Sequence, residues 1–254
     1  MAGLLDGKAA IITGGGSGIG EATARLFSRE GCKVVVAGRQ RDRLERVADE
    51  IGGLAVPTDV GSEDQVKALF EACDKAYGRL DVLFNNAGNP GPIMNAEEMD
   101  MEAWDALYAS NVRGIILCIK HAVPRIRAQG GGAIINSSSI MGMKATPTRS
   151  AYCSTKFALI GITQSVAQEV GRDGIRVNAV APGAIRGDLM ERVIARRMEM
   201  EGLSRDEVVD KYYVQPSPLG KWVEPEECAD AVLFLASDAA SAITGETLKV
   251  SAGR

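Results

Sequence analysis

Residues 8–13 (KAAIIT) form an apolar run that ends in a glycine cluster, Gly14-Gly15-Gly16-Ser17-Gly18-Ile19-Gly20. From Glu21 the apolar residues recur with helical spacing, which turns Ala24, Leu26 and Phe27 toward a core. A strand that feeds a helix through glycines is the setting in which a turn holds a nucleotide. Glycine lets the backbone approach a pyrophosphate, and the helix N-terminus offers unpaired N–H groups and the positive end of its dipole. The spacing is Gly-x-x-x-Gly-x-Gly at Gly14, Gly18 and Gly20, not the commoner Gly-x-Gly-x-x-Gly. A flexible turn is the plainer alternative, and the flanking strand and helix speak against it.

The alternation continues along the chain. Strands are expected at 33–37 (KVVVA), 54–57, 81–84, 132–137 (GAIINS), 175–181 and 246–250. Helices are expected at 41–51, from an N-cap at Ser62 to about Tyr77, from about 101 to 128 as one long helix, at 150–172 and at 226–236. This order, with short connections, means an α/β fold: a doubly wound, seven-stranded parallel sheet with helices on both faces. A chain of 254 residues fits one such domain over 1–254, and no repeat, linker or low-complexity run divides it. In these sheets ligands sit beyond the C-terminal strand ends, where Gly14, Arg39, Asp59, Asn86, Ser139 and Pro182 all fall.

The strongest chemical signal is Tyr152-Cys153-Ser154-Thr155-Lys156, with Ser139 thirteen residues before the tyrosine. Positions i and i+4 share a helix face, so the Tyr152 hydroxyl and the Lys156 ammonium can enter one cleft. A free tyrosine titrates near 10 and is a poor acid or base at neutral pH. Lowering it by about three units takes roughly 4 kcal/mol, which one cation about 4 Å away supplies at an effective dielectric near 20. Lys156 is thus expected to acidify Tyr152. An exposed helix that happens to carry both residues is the alternative.

Bulk properties narrow the partners. The net charge is −4 with basic residues scattered, which argues against nucleic acid or an anionic membrane. No apolar run approaches the roughly eighteen residues of a membrane span, and residues 1–7 lack the features of a signal peptide. The cysteines (Cys32, Cys73, Cys118, Cys153, Cys228) form no Cys-x-x-Cys pair, and His121 is the single histidine, so no metal site is expected. Reduced thiols and a cytoplasmic location follow. Cys153 points to another helix face than Tyr152, and His121 reads as an ordinary helix residue.

The second strand ends without the acidic residue that commonly holds an NAD ribose. Its tip reads Gly38-Arg39-Gln40-Arg41, with Arg43 two further on. A 2′-phosphate would meet the Arg39 guanidinium there, which favours NADP(H) while leaving NAD(H) possible. Alternatively, Arg39 stacks on the adenine or faces water.

Together these residues resemble the short-chain dehydrogenase/reductase family over essentially the whole chain. The matching pieces are Thr13-Gly14-x-x-x-Gly18-Ile19-Gly20, Asp59-Val60, Asn85-Asn86-Ala87-Gly88, Asn111, Ser139, Tyr152-x-x-x-Lys156 and Asn178-x-x-x-Pro182-Gly183, in the family's order and near its spacings. The resemblance implies a Rossmann-fold oxidoreductase that moves hydride between NADP(H) or NAD(H) and a small-molecule secondary alcohol or ketone. Tyr152 would be the general acid/base, and Lys156 would lower its pKa and hold the nicotinamide ribose. Ser139, with Ser138 as its rival, would hold the substrate oxygen, and Asn111 would anchor a water leading to Lys156. Gly14, Ser17, Gly18, Ile19 and Gly20 would cover the pyrophosphate, Asp59 and Val60 flank the adenine, and Asn86 and Gly88 line the adenosine ribose. Ile185 would touch the carboxamide, and Ala87, Pro182 and Gly183 would also bind the cofactor.

Two departures stand out. Gly187 occupies the place of a family threonine that bonds the carboxamide, and Val250-Ser251-Ala252-Gly253-Arg254 replaces an ending with an aspartate and two glycines. The family's mobile substrate loop would fall at about 188–222, a helical, Met-rich stretch that also reads as a surface helix pair. Met190, Val193 and Met198, with Met94, Ile140, Met141 and Met143, would make an apolar wall for a mainly apolar substrate. The resemblance further implies a homotetramer built through the helices carrying Asn111 and Tyr152, with Ile115, Ile119, Leu159 and Ile162 as outer apolar candidates. A dinucleotide-binding sensor without turnover is the non-enzymatic alternative. It has no need of Ser139, Tyr152, Lys156 and Asn111 together.

Overall fold

The computed structural model describes residues 3–254. Seven parallel strands form one sheet: β1 (Ala9–Thr13), β2 (Lys33–Gly38), β3 (Leu54–Pro57), β4 (Val82–Asn85), β5 (Gly132–Ser137), β6 (Ile175–Pro182) and β7 (Thr247–Val250), in the spatial order β3-β2-β1-β4-β5-β6-β7. The chain runs outward from β1 to β3 and then crosses back to β4, so the switch point lies between β1 and β4. All seven expected strands are present, and the doubly wound α/β fold is confirmed.

Side chains alternate across the sheet as the pleat requires. On one face Ile11, Val35, Leu83, Ile134 and Val177 pack under α3 (Glu63–Tyr77), α5 (Gly114–Ala128) and α6 (Ser150–Val170). On the other, Ala10, Ile12, Val34, Val36, Phe84 and Ile135 pack under α1 (Gly18–Arg29), α2 (Arg41–Ile51) and α9 (Pro225–Ala236). Strands buried on both sides explain the near-continuous apolar runs. No helix among the described residues is long and apolar enough to cross a membrane.

Two sequence expectations change, and one of two alternatives is realised. Where spacing predicts one helix over 101–128, α4 (Met101–Tyr108) and α5 are joined by a π-helical turn, Ala109–Arg113, that contains Asn111. The stretch after β6 is the helix pair: α7 (Asp188–Glu201) stops at Gly202, whose φ is 67°, and α8 (Arg205–Val209) follows a capping box from Ser204 to Glu207. These two helices close on a small core of their own, Ile194, Val208, Tyr213 and Trp222. Finally, Ile115, Ile119 and Leu159 face inward and are buried, because α5 and α6 lay those positions on the sheet. The large apolar residues those helices expose are Ile116 and Phe157, 42% and 45% open.

Candidate active site

At the glycine turn, Gly14 and Gly18 take φ of 67° and 52°, in the left-handed region that favours glycine. A Cβ on Gly20 would stand 2.2 Å from the Gly14 carbonyl oxygen, so α1 can start against the turn only with glycine there. The buried Thr13 hydroxyl accepts from the backbone N–H groups of Asn86 and Ala87, both at 3.0 Å. In return the Asn86 amide donates to the carbonyls of Thr13 and Gly14, at 3.1 and 3.3 Å. The ends of β1 and β4 are thereby locked together. Asn86 turns its side chain to this brace, so any ribose contact from it would come through its backbone.

The tip of β5 carries three serines with separate tasks. The Ser137 carbonyl accepts from the Lys156 ammonium at 2.7 Å, and the Ser138 hydroxyl donates to the Lys156 carbonyl at 2.8 Å. The Ser139 hydroxyl accepts from the Met141 N–H at 3.1 Å and lies beside Tyr152. Ser138 is therefore occupied in joining β5 to α6, and Ser139 is the one adjoining the phenol. Lys156 stands 5.6 Å from the centroid of the Tyr152 ring, and the Arg149 guanidinium 4.8 Å from it.

Asn111 is fully buried and closes the site from the π-helical turn. Its Oδ1 accepts from the Asn89 N–H at 2.8 Å, and its Nδ2 donates to the Asn89 carbonyl at 2.9 Å and to Thr155 Oγ1 at 3.3 Å. A Cβ on Gly88 would lie 3.5 Å from Asn111 Oδ1 and 3.7 Å from the Lys156 Nζ, so both polar groups border the same glycine.

The electrostatics correct one expectation. Burial pushes the Tyr152 phenol above its usual value, with the Ser139 hydroxyl and the Arg149 charge acting in the opposite direction. The ring is half-buried, yet enough protein surrounds the hydroxyl for desolvation to dominate. Lys156 is itself pushed down to about 8 by burial. A desolvated ammonium bonded to a backbone carbonyl does not make the phenol acidic in this structure.

Residues 14–254 match the family model described as enoyl-(acyl carrier protein) reductase. The chain is 39% identical, over 97% of its length and 96% of the relative's, to cis-4-hydroxycyclohexanecarboxylate dehydrogenase of Sinomonas cyclohexanicum. The chain belongs to the short-chain dehydrogenase/reductase family. Solved structures of similar shape include L-sorbose reductase from Gluconobacter frateurii complexed with NADPH and L-sorbose (TM-score 0.93, 32% identity, 100% of this chain and 98% of that one). Another is 7α-hydroxysteroid dehydrogenase complexed with NADH and 7-oxo glycochenodeoxycholic acid (TM-score 0.88, 33% identity, 98% and 94%). As a short-chain dehydrogenase/reductase, this protein is an NAD(P)-dependent oxidoreductase acting on hydroxyl and carbonyl groups.

Within that family frame the two departures acquire a structural reading. Gly187 takes φ 155° and ψ 175°, a conformation essentially restricted to glycine, and its carbonyl receives the first N–H groups of α7. A threonine at this position would require another backbone path. At the C-terminus Ala252 takes φ 52° and Gly253 φ 95°, with Gly253 packed on Pro218, so the turn is kept with one glycine fewer.

The remaining candidates fall along the same sheet edge. Ile19 and Ile185 pack against one small cluster, Val223, Cys228 and Ala252, which brings the glycine turn to the segment after Pro182-Gly183. Val60 lies against Gly114, and the Asp59 carboxylate caps the N–H of Gly61. Arg39 is exposed at the end of β2. Met94 and Met141 are half-buried beside the loop before α6, whereas Met190 and Met198 pack on the core of the α7–α8 pair.

Sequence reasoning missed the parts played by Thr13 as a brace, Gly142 and Arg149, and named Arg43 without its ion pair. Arg43 packs over Gly16 and pairs with Asp188 at 3.1 Å. A Cβ on Gly142 would meet Ser138 Oγ at 2.5 Å and the Lys156 carbonyl at 2.6 Å. Arg149 carried a positional signal in the sequence, since it lies one helical turn before Tyr152.

Proposed function

We propose that this protein interconverts a secondary alcohol and a ketone with NADP(H) in preference to NAD(H). The observation that carries the reading is the convergence of Ser139, Tyr152 and Lys156 at one strand end, with Asn111 tied to the same helix through Thr155.

A dinucleotide fits the residues present. The turn from Gly14 to Gly20, with Ser17 and Ile19 among Gly14, Gly15, Gly16, Gly18 and Gly20, lets its backbone approach a pyrophosphate. Gly88 leaves open the space between Asn111 and Lys156 that a Cβ would occupy. Asp59 and Val60 would border the adenine, Asn86-Ala87-Gly88 the adenosine ribose, Lys156 the nicotinamide ribose, and Pro182, Gly183 and Ile185 the carboxamide. When bound, the nicotinamide supplies or accepts the hydride.

The chain's own groups handle the proton and the substrate oxygen. Ser139 Oγ holds the oxygen where charge develops. The Tyr152 hydroxyl gives its proton to a carbonyl oxygen in reduction and takes one back from the alcohol in oxidation. A phenol kept protonated by burial suits the reducing direction. Arg39, an exposed guanidinium where a repelling carboxylate would otherwise stand, favours the 2′-phosphate.

Met94 and Met141 give the site an apolar wall, and relatives that act on a cyclohexane alcohol and a steroid ketone support a substrate with an apolar body. A homotetramer built through α5 and α6 belongs to this reading, supported by exposed Ile116 and Phe157. A cytoplasmic setting is supported by five cysteines, all free and buried. The test is a panel of ketones and secondary alcohols assayed with NADPH/NADP and NADH/NAD. Reduction with NADPH favoured is the expected result, and no turnover with either cofactor across the panel would overturn the reading.

A further inference from the structure

Arg149 is the least accounted-for charge near the site. It precedes α6, is half-buried, and holds its guanidinium 4.8 Å from the centre of the Tyr152 ring. Among the described residues, the ionisable side chains near enough to act on it are Tyr152 and Cys153, and no acidic residue is one of them. Buried cations in proteins are ordinarily paired with an acid, since desolvation without a partner is costly. Burial lowers the pKa of this guanidinium, the direction expected when a cation loses hydration. Backbone strain adds a second observation. Thr148, just before Arg149, is a β-branched residue at φ 62°, held there while its carbonyl accepts from the Met94 N–H at 3.1 Å. The strained residue ties the Met94 loop to the segment that delivers the arginine.

We propose that Arg149 is a specificity residue that binds a carboxylate of the substrate, so that the ketone or alcohol turned over beside Tyr152 is an oxo acid or a hydroxy acid. The inference rests on the oxidoreductase reading above and names its substrate class. A planar guanidinium meets a carboxylate through two parallel hydrogen bonds, which both neutralises it and fixes the ketone's orientation. The apolar residues Met94 and Met141 then take the body of the acid. Its carbonyl lies at the Tyr152 hydroxyl.

The test uses matched pairs: 4-oxocyclohexanecarboxylate and 3-oxobutanoate, each against its methyl ester, with NADPH and the full-length enzyme. Wild type should prefer the acid of each pair. In Arg149→Met the ratio of kcat/KM for acid over ester should fall roughly 10–100-fold, mainly through KM, and Arg149→Lys should recover part of it. Equal losses on acid and ester would mean that Arg149 only supports Tyr152 or the fold, and would overturn the proposal. So would a wild type indifferent to the charge, a result that leaves the oxidoreductase reading standing. Binding gives an answer without turnover: with NADP bound, the acids should raise the melting temperature of wild type and not of Arg149→Met. If none of the acids stabilises wild type more than the variant, Arg149 is not a carboxylate site.

Discussion

The Ser138 hydroxyl donates to the carbonyl oxygen of Lys156 at 2.8 Å, fastening the end of β5 to the middle of α6. That contact sets the distance between Ser139 and Tyr152, because each sits within a few residues of one of its ends. Gly142 leaves the room it needs, since a Cβ there would meet Ser138 Oγ at 2.5 Å and the Lys156 carbonyl at 2.6 Å. Gly142→Ala should therefore destabilise the fold by about 1–3 kcal/mol, the usual range for overpacking, and lower turnover as well. Denaturant unfolding alongside steady-state kinetics measures both. A loss below about 0.5 kcal/mol with normal activity would mean that the loop yields freely.

Replacing Tyr152 by Phe removes the proton donor and keeps the ring on which Arg149 stacks. Cofactor binding should persist while turnover falls roughly 10²–10⁴-fold, as for a lost general acid/base. Fluorescence titration with NADPH and initial rates on one substrate check this. A loss under tenfold would take Tyr152 out of its proposed role.

Arg39 and Arg43 differ in how free they are to meet a 2′-phosphate. Arg43 pairs with Asp188 at 3.1 Å, whereas Arg39 enters no ion pair found among the described residues. Arg39→Ala should weaken NADPH binding by about 1–3 kcal/mol and leave NADH nearly unaffected. Equal weakening of the two cofactors, read by calorimetry, would refute the phosphate contact.

Lys156 gives a pH signature that does not depend on turnover. Burial lowers it from its ordinary 10.5 to about 8. Between those values the unfolded chain keeps a proton that the folded chain has released, so this group's contribution to stability rises with pH there. Below about pH 8 both states are protonated, and the cost of burying the ammonium is present in full. Lys156→Met removes the titration. The stability of wild type relative to this variant should rise by roughly 3 kcal/mol as pH goes from about 8 to about 10.5. A difference that stays flat in urea titrations across that range would show that Lys156 is not a desolvated ammonium.

The sequence by itself determined the strands, their parallel arrangement and which residues to look for at a candidate site, because those signals are local or periodic. Glycines between an apolar run and a helix, and Tyr152 and Lys156 four residues apart, keep their meaning whatever packs around them. Tertiary structure alone decided what crosses between elements. The π-helical turn that buries Asn111 inserts an extra residue into a helical pattern, which apolar spacing does not register. The division of labour between Ser138 and Ser139 depends on where α6 lies against β5, and the inward turn of Ile115 and Leu159 on how α5 and α6 meet the sheet. Even the direction in which the Tyr152 phenol shifts was out of reach of its neighbours in the chain. Spacing supplies a cation, but burial is set by the whole fold, and here desolvation outweighs the Ser139 hydroxyl and the Arg149 charge.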